Sequence, residues 1–362
     1  MSVVENDDSI DVSPPLYNDK TKKFEFEYRH PNDTPISSSS SSSYPDILIH
    51  NPLELFQQEN AKAHDTNGDI KHGDGDNDDV DFIPCLGILN QKINLPISNF
   101  TKLWNNSVLK VCADGGANQL YNYILTNSLD PKDYVPDFII GDLDSIKQKV
   151  INYYSSQNVP IKLQSSQYFT DLDKLISIIN LSVNCPGLKD LDSYNDIDDL
   201  EMLENSEIIN SDNNESFQKI LLYLIGSIGG RFDQTIHSIN QLIKNNSKRK
   251  NFRFFLFNSN YNEIIVLLNK GYNFIHLKNK TKSHTDNGGD HDGEEDGKES
   301  LVEIGLLPLY KPTKISTHGL KWDVHDWETC WGGNISSSNL LVGNSGFYVY
   351  SKDNPIFLNI SY

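Results

Sequence analysis

LKVCADGGANQLYNYIL, residues 109–125, joins two patterns that indicate the fold class. The first five residues form a short apolar run, which is typical of a strand buried in a parallel sheet. Apolar side chains then recur at helical spacing, at Ala117, Leu120, Tyr121, Ile124 and Leu125. The stretch therefore predicts a strand that leads through an Asp-Gly-Gly turn into an amphipathic helix.

The same alternation of strand and helix recurs on both sides of this stretch. Further short apolar runs lie at residues 82–89, 138–140 and 220–225. Helical spacing returns at Leu172, Leu175, Ile176 and Ile179, and again at Phe232, Ile236, Ile239 and Ile243. We therefore expect residues 81–258 to form a Rossmann-like α/β domain, a parallel sheet with helices on both faces. The acidic segment at about 185–217 interrupts this pattern and is expected to be a disordered surface insertion.

The remainder of the chain has a different character. After about residue 258, short β-rich runs punctuated by Gly and Pro lie at 264–268, 272–277, 301–307, 340–341 and 347–350. Such a series predicts a C-terminal β-sandwich over residues 259–362, with a disordered acidic loop at about 279–300. Residues 1–80 hold a serine homopolymer and an acidic run without apolar periodicity, so we expect a disordered tail outside the fold.

The net charge of −19 is concentrated in three acidic segments. Residues 58–80, 190–204 and 286–299 each hold seven Asp or Glu, against three Lys in all, so the rest of the chain is nearly neutral. With no basic face and no basic amphipathic stretch, the sequence indicates neither nucleic-acid binding nor a membrane surface. Four widely spaced cysteines, a polar N-terminus and the lack of a long apolar segment favour a cytoplasmic protein.

Acidic motifs follow the predicted strands of the α/β domain. Their carboxylates belong to Asp114, to Asp142 and Asp144, to Asp171, and to Asp233. Because the carboxyl ends of parallel strands meet at one edge of the sheet, we expect these side chains to share a crevice. A cation would relieve their mutual repulsion, and Mg²⁺ prefers carboxylate oxygens and is commonly shared with substrate phosphates. Each motif alone also suits a helix cap or a turn, so it is their joint occurrence that favours a site.

A glycine-rich loop follows the run at 220–225. Gly229 and Gly230 would let the backbone come close to an anion, and Arg231 would add a fork for phosphate oxygens. The loop matches neither the Walker A sequence nor the dinucleotide-binding fingerprint. Lys174 lies one helical turn after Asp171, where it would either neutralise phosphate or only pair with that carboxylate.

Two motifs stand out in the second domain, Gly-Leu-Lys-Trp at 319–322 and Ser-Ser-Ser-Asn at 336–339. Each has a structural interpretation when taken alone, because a Trp is more often core than ligand platform and a Ser run is more often a loop. Trp327 and Trp331 lack such a framed context, and we expect them to serve packing.

Taken together, these motifs resemble the eukaryotic thiamine pyrophosphokinase family. Six segments occur in the family's order: ADGGAN at 113–118, PDFIIGDLDSI at 136–146, TDLDK at 170–174, GGRFDQ at 229–234, GLKW at 319–322 and SSSN at 336–339. The likeness covers roughly residues 82–181, 219–278 and 301–362. Two features depart from the family: Ser337 stands where Thr is usual, and the acidic insertions have no counterpart in compact members.

The resemblance implies a nucleotide-binding α/β domain, a thiamine-binding β-sandwich and a homodimer with active sites between subunits. It implies ATP as co-substrate and Mg²⁺ as cofactor, with metal ligands at Asp114, Asp142, Asp144 and Asp171. Of these, Asp142, Asp144 and Asp171 are the expected catalytic residues. Nucleotide contacts are implied at Asp114, Gly115, Gly116, Lys174, Gly229, Gly230, Arg231, Asp233 and Asn90. Thiamine contacts are implied at Gln167, Trp322, Ser336, Ser338 and Asn339.

In the implied reaction, the hydroxyl of thiamine attacks the β-phosphorus of ATP and AMP leaves. Asp142 or Asp171 would orient or deprotonate that hydroxyl, and Trp322 would stack on the cationic thiazolium ring. The residues leave two alternatives open. One is a metal-dependent glycosyl- or nucleotidyltransferase, since an Asp-x-Asp pair also suits a nucleotide-sugar diphosphate. The other is an acidic interaction protein whose charged runs bind basic partners.

Overall fold

The structure of the chain, a computed structural model, describes residues 2–6, 9–18, 20, 23–25, 47–53, 82–185, 200–210, 217–258, 262–277 and 302–361. Most of the predicted N-terminal tail and the predicted acidic loop at 279–300 lie outside these residues. The chain forms two compact units, Glu54–Ile264 and the combination of Met1–Leu53 with Ile265–Tyr362. We call the first the α/β unit and the second the β unit. Among the described residues, no helix is both long and apolar enough to cross a lipid bilayer.

The described residues form the following strands in chain order: β1 (Ser2–Glu5), β2 (Leu16–Asn18), β3 (Lys23–Glu25), β4 (Ile47–His50), β5 (Phe82–Ile88), β6 (Leu109–Ala113), β7 (Phe138–Gly141), β8 (Ile161–Leu163), β9 (Lys219–Ile225), β10 (Phe252–Asn258), β11 (Glu263–Leu268), β12 (Gly271–His276), β13 (Glu303–Leu307), β14 (Thr313–His318), β15 (Trp322–His325), β16 (Trp327–Thr329), β17 (Ser336–Leu340), β18 (Gly346–Ser351) and β19 (Ile356–Ser361). The helices are α1 (Ile97–Asn106), α2 (Gly116–Thr126), α3 (Gln148–Ser156), α4 (Asp171–Asn184), α5 (Leu200–Asn210) and α6 (Phe232–Lys248), with one 3₁₀ turn at Pro131–Asp133.

The α/β unit is built on a parallel sheet with the strand order β10-β9-β5-β6-β7-β8. The strands are short apolar runs, and almost every residue of β9 and β10 is buried. From β5 the chain proceeds through β6 and β7 to β8, and it then returns to the other side of β5 to form β9 and β10. The strand order thus reverses between β5 and β9, the position at which open α/β sheets bind ligands.

The β unit contains a four-stranded run β17-β13-β19-β11 and a five-stranded sheet β16-β14-β18-β12-β4. Pairing is antiparallel between β13 and its two neighbours and along β16-β14-β18-β12. Large fully buried side chains from these strands, including Phe274, Phe347 and Phe357, form its interior. The α/β plus all-β fold class predicted from the sequence is confirmed.

The N-terminal segment differs from its expected place outside the fold. Strand β1 pairs antiparallel with β15, and β4 pairs parallel with β12. Val12 is 2% exposed and packs with Phe274 and Tyr348 in the interior of the β unit. The sequence does not predict β1 and β4, because each strand is short and has no apolar periodicity of its own. The strand with which each one pairs lies more than 200 residues away in the sequence.

The acidic insertion also contains structure. Helix α5 packs on α4, and Glu204 is buried in an ion pair with Arg249 at the end of α6. Ser177 and Asn180 of α4 donate hydrogen bonds to the same carboxylate at 2.8 and 2.7 Å. A buried charge is tolerated when it is paired and hydrogen-bonded, and Glu204 meets both conditions. The expectation of disorder therefore does not describe residues 200–210, while residues 186–199 and 211–216 lie outside the described part.

Helix α6 turns a different face inward than its apolar spacing predicts. Its buried residues are Ser238, Gln241, Leu242 and Asn245. Phe232 and Ile236, two members of the predicted core stripe, are 78% and 48% exposed. The polar inner face is explained by its partners, since Gln241 donates to Asp173 of α4 at 3.1 Å and Asn245 accepts a hydrogen bond from Arg249.

Candidate active site

A cavity of about 690 Å³ opens in the α/β unit where the strand order reverses. Its walls come from the end of β6, from the segments that follow β5, β7, β8 and β9, and from the first turns of α4 and α6. The residues predicted from the sequence that line it are Asn90, Asp142, Gln167, Asp171, Lys174, Gly229, Gly230 and Arg231. Of the five carboxylates expected to share one crevice, Asp142 and Asp171 line this cavity, whereas Asp114, Asp144 and Asp233 are not among its lining residues.

Three carboxylates meet at this edge of the sheet. Asp114, Asp142 and Asp171 each offer an oxygen, and these oxygens lie within 4.8 Å of one another. The three residues come from the ends of β6 and β7 and from the first position of α4. Among the described residues, this is the group of acidic, histidine or cysteine side chains whose geometry suits a metal ion.

Local structure holds each member of the cluster. Asp114 is 2% exposed, and its two carboxylate oxygens accept hydrogen bonds from the N–H groups of Ser145 and Ile146, each at 3.0 Å. Its φ of 39° is unusual for a residue other than glycine and indicates a strained turn at the strand end. Asp171 begins α4 directly after Thr170, which caps the helix through a reciprocal pair of hydrogen bonds with Asp173.

Gly141, the last residue of β7, allows this close approach. A Cβ at that position would lie 2.6 Å from the Cβ of Asp114 and 3.2 Å from Oδ1 of Asp171. The first distance is shorter than any normal carbon–carbon contact, so a side chain here would force the cluster apart. The sequence motif Gly-Asp-Leu-Asp therefore has a steric basis for its glycine.

The charges of the cluster oppose one another. Burial raises the pKa of Asp171, the charge of Lys174 lowers it, and the negative charges of Asp114 and Asp142 raise it further, so that the net pKa lies above its usual range. Burial likewise raises the pKa of Asp114, against the hydrogen bonds from Ser145 and Ile146. Lys174 is buried and approaches Oδ1 of Asp171 at 3.5 Å. One ammonium group offsets only part of the negative charge gathered here.

Asp142 has the opposite balance. Burial raises its pKa, but the hydrogen bond from Gln167, the N–H of Asp144 and the charge of Lys174 outweigh that effect, so the net pKa lies below its usual range. The amide of Gln167 donates to Oδ2 of Asp142 at 2.9 Å. The structure thus puts Gln167, predicted as a thiamine contact, beside the carboxylate cluster.

Asp144 lies outside the three-carboxylate cluster. Its carboxylate accepts a hydrogen bond from the hydroxyl of Ser145 at 2.8 Å, and its N–H donates to Asp142 at 3.5 Å. Leu143, between the two aspartates, has a φ of 61°. This turn directs the first aspartate to the cluster and leaves the second exposed.

The glycine loop after β9 is shaped by left-handed backbone at Gly226, Gly229 and Gly230. Gln91 braces it from the end of β5: its amide donates to the carbonyl of Ile228 at 3.0 Å and accepts from the N–H of Gly230 at 2.9 Å. Gln91 was not among the residues predicted from the sequence, although its position two residues after the apolar run at 82–89 was a usable signal. The N–H groups of both glycines are bonded within the protein, because that of Gly230 donates to Gln91 and that of Gly229 donates to the Thr235 hydroxyl at 3.2 Å.

The paired side chains of Arg231 and Asp233 are largely exposed at the start of α6. Arg231 lines the cavity, whereas its hydrogen bonds currently go to Asp233. Gly115 and Gly116 serve packing: a Cβ on Gly115 would meet the Asn90 side chain, and one on Gly116 would lie 2.1 Å from the Ile88 carbonyl. These two glycines let α2 start against the end of β5.

The predicted thiamine residues of the second domain lie in the β unit. Trp322 begins β15 and is 36% exposed, and the Lys321 ammonium sits 5.1 Å from the centre of its ring. Asn339 is buried and hydrogen-bonds to the main chain of Trp322. A β-bulge in β17 begins after Ser336, and Ser338 lies within it with a φ of 58°. Bulges commonly re-aim side chains next to active sites.

Trp331 differs from its expected packing role. It is 74% exposed, in the turn that joins β16 to β17. Trp327 is partly buried in β16, consistent with the packing expected of it.

Comparisons with known proteins find relatives that cover most of the chain. Residues 100–256 match the model of the thiamin pyrophosphokinase catalytic domain, and residues 297–354 match that of the thiamin pyrophosphokinase vitamin B1 binding domain. A thiamine pyrophosphokinase of Saccharomyces cerevisiae is 36% identical over 76% of this chain and 84% of its own length. Two solved structures are similar: thiamin pyrophosphokinase from Candida albicans (TM-score 0.71, 31% identity, 99% of this chain and 97% of that one) and yeast thiamin pyrophosphokinase (0.73, 29%, 100% and 97%).

Proposed function

The chain belongs to the thiamine pyrophosphokinase family and makes thiamine diphosphate and AMP from thiamine and ATP, and we propose how its residues divide that work. The observation that carries the proposal is the cluster of Asp114, Asp142 and Asp171, whose offered carboxylate oxygens lie within 4.8 Å of one another. Asp142 and Asp171 also line the cavity, together with the glycine loop. Neither alternative interpretation, the glycosyl- or nucleotidyltransferase and the acidic adaptor, accounts for the match to a vitamin B1 binding domain.

We propose Mg²⁺ as the cofactor, held by Asp114, Asp142 and Asp171. The residues fit this ion in two respects. Three carboxylates face one point, and the glycine at position 141 leaves room for their approach. Their mutual repulsion is only partly offset by Lys174, so a divalent cation would stabilise the group. When bound, the ion would neutralise charge on the ATP phosphates. Asp144, expected from the sequence as a fourth ligand, would act from outside this group.

The protein side chains have separate tasks in the proposed mechanism. Lys174 and Arg231 attract and orient the phosphates of ATP, and Gln91 fixes the glycine loop beside them. Asp142 or Asp171 orients the hydroxyl of thiamine and accepts its proton. The oxygen of that hydroxyl forms a bond to the β-phosphorus as the bond from this phosphorus to the oxygen of AMP breaks. Gln167 holds Asp142 in place through its 2.9 Å hydrogen bond.

We assign thiamine binding to the β unit, at Trp322, Ser336, Ser338 and Asn339. An indole face attracts a cationic ring by about 0.5–2 kcal/mol. The enzyme is proposed to be a homodimer with shared active sites. Exposed Phe232 and Ile236 on one face of α6 support this, because adjacent exposed apolar residues commonly mark a protein interface. A cytoplasmic location is also proposed, supported by four free cysteines.

The test compares two neighbouring aspartates. Asp142→Asn should lower AMP formation from ATP, Mg²⁺ and thiamine by at least about 100-fold without changing the melting temperature. Asp144→Asn, two residues away and outside the cluster, should lose much less. Equal losses in both variants would support the four-ligand site predicted from the sequence, and full activity in Asp142→Asn would remove this residue from the mechanism.

A further inference from the structure

The N-terminal strand lies directly against the proposed thiamine-binding segment of the β unit. Strand β1 pairs antiparallel with β15, with Glu5 opposite Trp322 and Val3 opposite Val324. The main chain continues this contact, because the N–H of Asn6 donates to the carbonyl of Lys321 at 2.7 Å. The first residues of the chain therefore run beside Trp322 and beside the residue that precedes it.

The side chain of Asn6 hydrogen-bonds to residues in and next to the Gly319–Trp322 turn. Its Nδ2 donates to the Leu320 carbonyl at 2.7 Å and to Oδ2 of Asp323 at 2.9 Å. Together with its N–H, Asn6 hence binds both sequence neighbours of Trp322. None of these hydrogen bonds is to Trp322 itself, so Asn6 acts on Trp322 through the residues on either side of it.

Asp323 organises the same turn from within. It is fully buried and accepts hydrogen bonds from the Thr317 hydroxyl at 2.8 Å and from the N–H groups of Gly319 and Leu320 at 3.1 and 3.2 Å. Asn6 is the fourth donor to this carboxylate and comes from more than 300 residues away in the sequence. Removal of one donor leaves a buried carboxylate less well satisfied, and the turn is free to relax.

The N-terminal segment is also anchored farther along, at a place away from Trp322. The N–H of Ile10 donates to the Val342 carbonyl at 3.1 Å, and the N–H of Val12 donates to the Asn344 side chain at 2.9 Å. The hydroxyl of Tyr348 donates to the carbonyl of Ser13 at 3.2 Å. The segment is thus fastened at two separable points, of which only the first adjoins the thiamine side.

We propose that the N-terminal strand is a substrate-positioning element and that Asn6 is its positioning residue, holding the Gly319–Trp322 turn in the conformation that receives thiamine. The inference rests on the proposed role of Trp322 in thiamine binding. A preorganised binding residue spares the cost of ordering it when the ligand arrives, so its loss weakens binding more than it slows chemistry. The N-terminus thereby sets the affinity for thiamine and leaves ATP handling in the α/β unit unchanged.

The experiment compares three variants of the full-length chain. Asn6→Ala should raise the KM for thiamine by about 5- to 10-fold, the effect of losing side-chain hydrogen bonds of ordinary strength, while kcat and the KM for ATP stay within about twofold. Asn6→Asp, which loses the donor and places a second carboxylate beside Asp323, should raise it further. Tyr348→Phe, the matched control, removes only the hydrogen bond to Ser13 at the far anchor and should leave the thiamine KM unchanged.

Trp322→Ala, measured in parallel, separates this inference from the proposed function. If Trp322→Ala raises the thiamine KM and Asn6→Ala does not, the positioning role is overturned and the thiamine site stands. If Trp322→Ala leaves the thiamine KM at the wild-type value, both fall together. A uniform loss in Asn6→Ala, with kcat, both KM values and the melting temperature all impaired, would assign Asn6 to general stability and would also overturn the inference.

Discussion

Asn339 holds the backbone of Trp322 on both sides, because its Oδ1 accepts from the Trp322 N–H at 3.1 Å and its Nδ2 donates to the Trp322 carbonyl at 2.9 Å. Two hydrogen bonds from one buried amide thus satisfy both main-chain polar groups of Trp322. The orientation of the amide is fixed by the arrangement, since the backbone offers one donor and one acceptor. We therefore expect Asn339 to hold Trp322 in position in addition to its proposed contact with thiamine.

Replacement of Asn339 by Leu should weaken this support. The change removes both partners of the partly buried Trp322 N–H and carbonyl. A typical hydrogen bond contributes about 0.5–1.5 kcal/mol to the free energy of unfolding, so a loss of about that size per bond is expected. We expect a lower melting temperature together with a raised thiamine KM. Steady-state kinetics and thermal denaturation measure both effects. Ser337→Thr, at the exposed neighbouring position, is the control and should be close to wild type.

Gly141 offers a test of the carboxylate cluster that leaves every charge in place. In Gly141→Ala the new methyl group would lie 2.6 Å from the Cβ of Asp114, so the cluster must widen. A displacement of about 1 Å at a catalytic centre commonly costs on the order of 100-fold in rate. We expect a loss of about this size in the rate of AMP formation by Gly141→Ala. We also expect this variant to bind Mg²⁺ more weakly than wild type, as measured by calorimetry.

The matched control for that variant is Gly305→Ala in strand β13. A Cβ there would meet Asn359 at 3.4 Å, an ordinary van der Waals contact. Both glycines lie in strands, so the pair separates steric pressure on the cluster from a general intolerance of strand glycines. Wild-type kinetics in Gly141→Ala would contradict the proposed close approach of Asp114 and Asp171.

The buried ion pair of Glu204 and Arg249 predicts a pH-dependent stability. Burial raises the pKa of Glu204, but the hydrogen bond and charge of Arg249 and the hydrogen bonds from Ser177 and Asn180 outweigh it, so the net pKa lies below its ordinary value. A depressed folded-state pKa stabilises the protein above the ordinary value near 4.5, and this contribution is lost as the pH falls through the folded-state pKa.

Glu204→Gln should therefore cost about 3–5 kcal/mol of unfolding free energy near neutral pH, since it leaves Arg249 buried without its partner. The difference in unfolding free energy between Glu204→Gln and wild type should become smaller as the pH is lowered. Urea denaturation at several pH values measures this difference. A double replacement, Glu204→Met with Arg249→Met, removes both charges and should recover much of the loss. A difference that stays constant with pH would assign the effect to packing alone.

Sequence reasoning was most successful where chemistry and local pattern coincide. The run at 109–113 is strand β6 as predicted, and the motifs around Asp114, Asp142 and Asp171 meet because parallel strand ends share an edge. Helix α6 shows the limit of apolar spacing. Its inward face was misassigned because two polar side chains on that face are satisfied, that of Gln241 by Asp173 of α4 and that of Asn245 by Arg249 at the end of α6 itself.

The N-terminal strands could not be predicted from the sequence, for a similar reason. Strand β1 is four residues long, and it is stabilised by pairing with β15 rather than by an apolar period. Helix α5 lies in a segment whose acidity suggested a solvated loop, yet Glu204 is buried because an arginine more than 40 residues later neutralises it. In each case the deciding partner is far away in the sequence and leaves no local signal.

The proposed homodimer makes a prediction that depends on which subunit supplies each half of the active site. If Asp142 of one subunit works with the partner subunit's Trp322, then a dimer of one Asp142→Asn chain and one Trp322→Ala chain contains one intact site. Random assembly of equal amounts should restore up to about a quarter of wild-type activity at low thiamine, where each variant alone is nearly inactive. Two differently tagged chains expressed together allow the mixed dimer to be purified and assayed.

The control pairs two lesions of the α/β unit. Asp142→Asn mixed with Asp171→Asn should show no recovery, because both residues belong to one cluster and every site then lacks a carboxylate. Ile236→Glu, on the exposed apolar face of α6, should shift the protein toward monomers in sedimentation and lower activity in step. Mixed dimers of Asp142→Asn and Trp322→Ala chains that form but stay inactive would assign the whole site to a single subunit. In that case each chain carries one lesion within its own site, so neither site of the mixed dimer is intact.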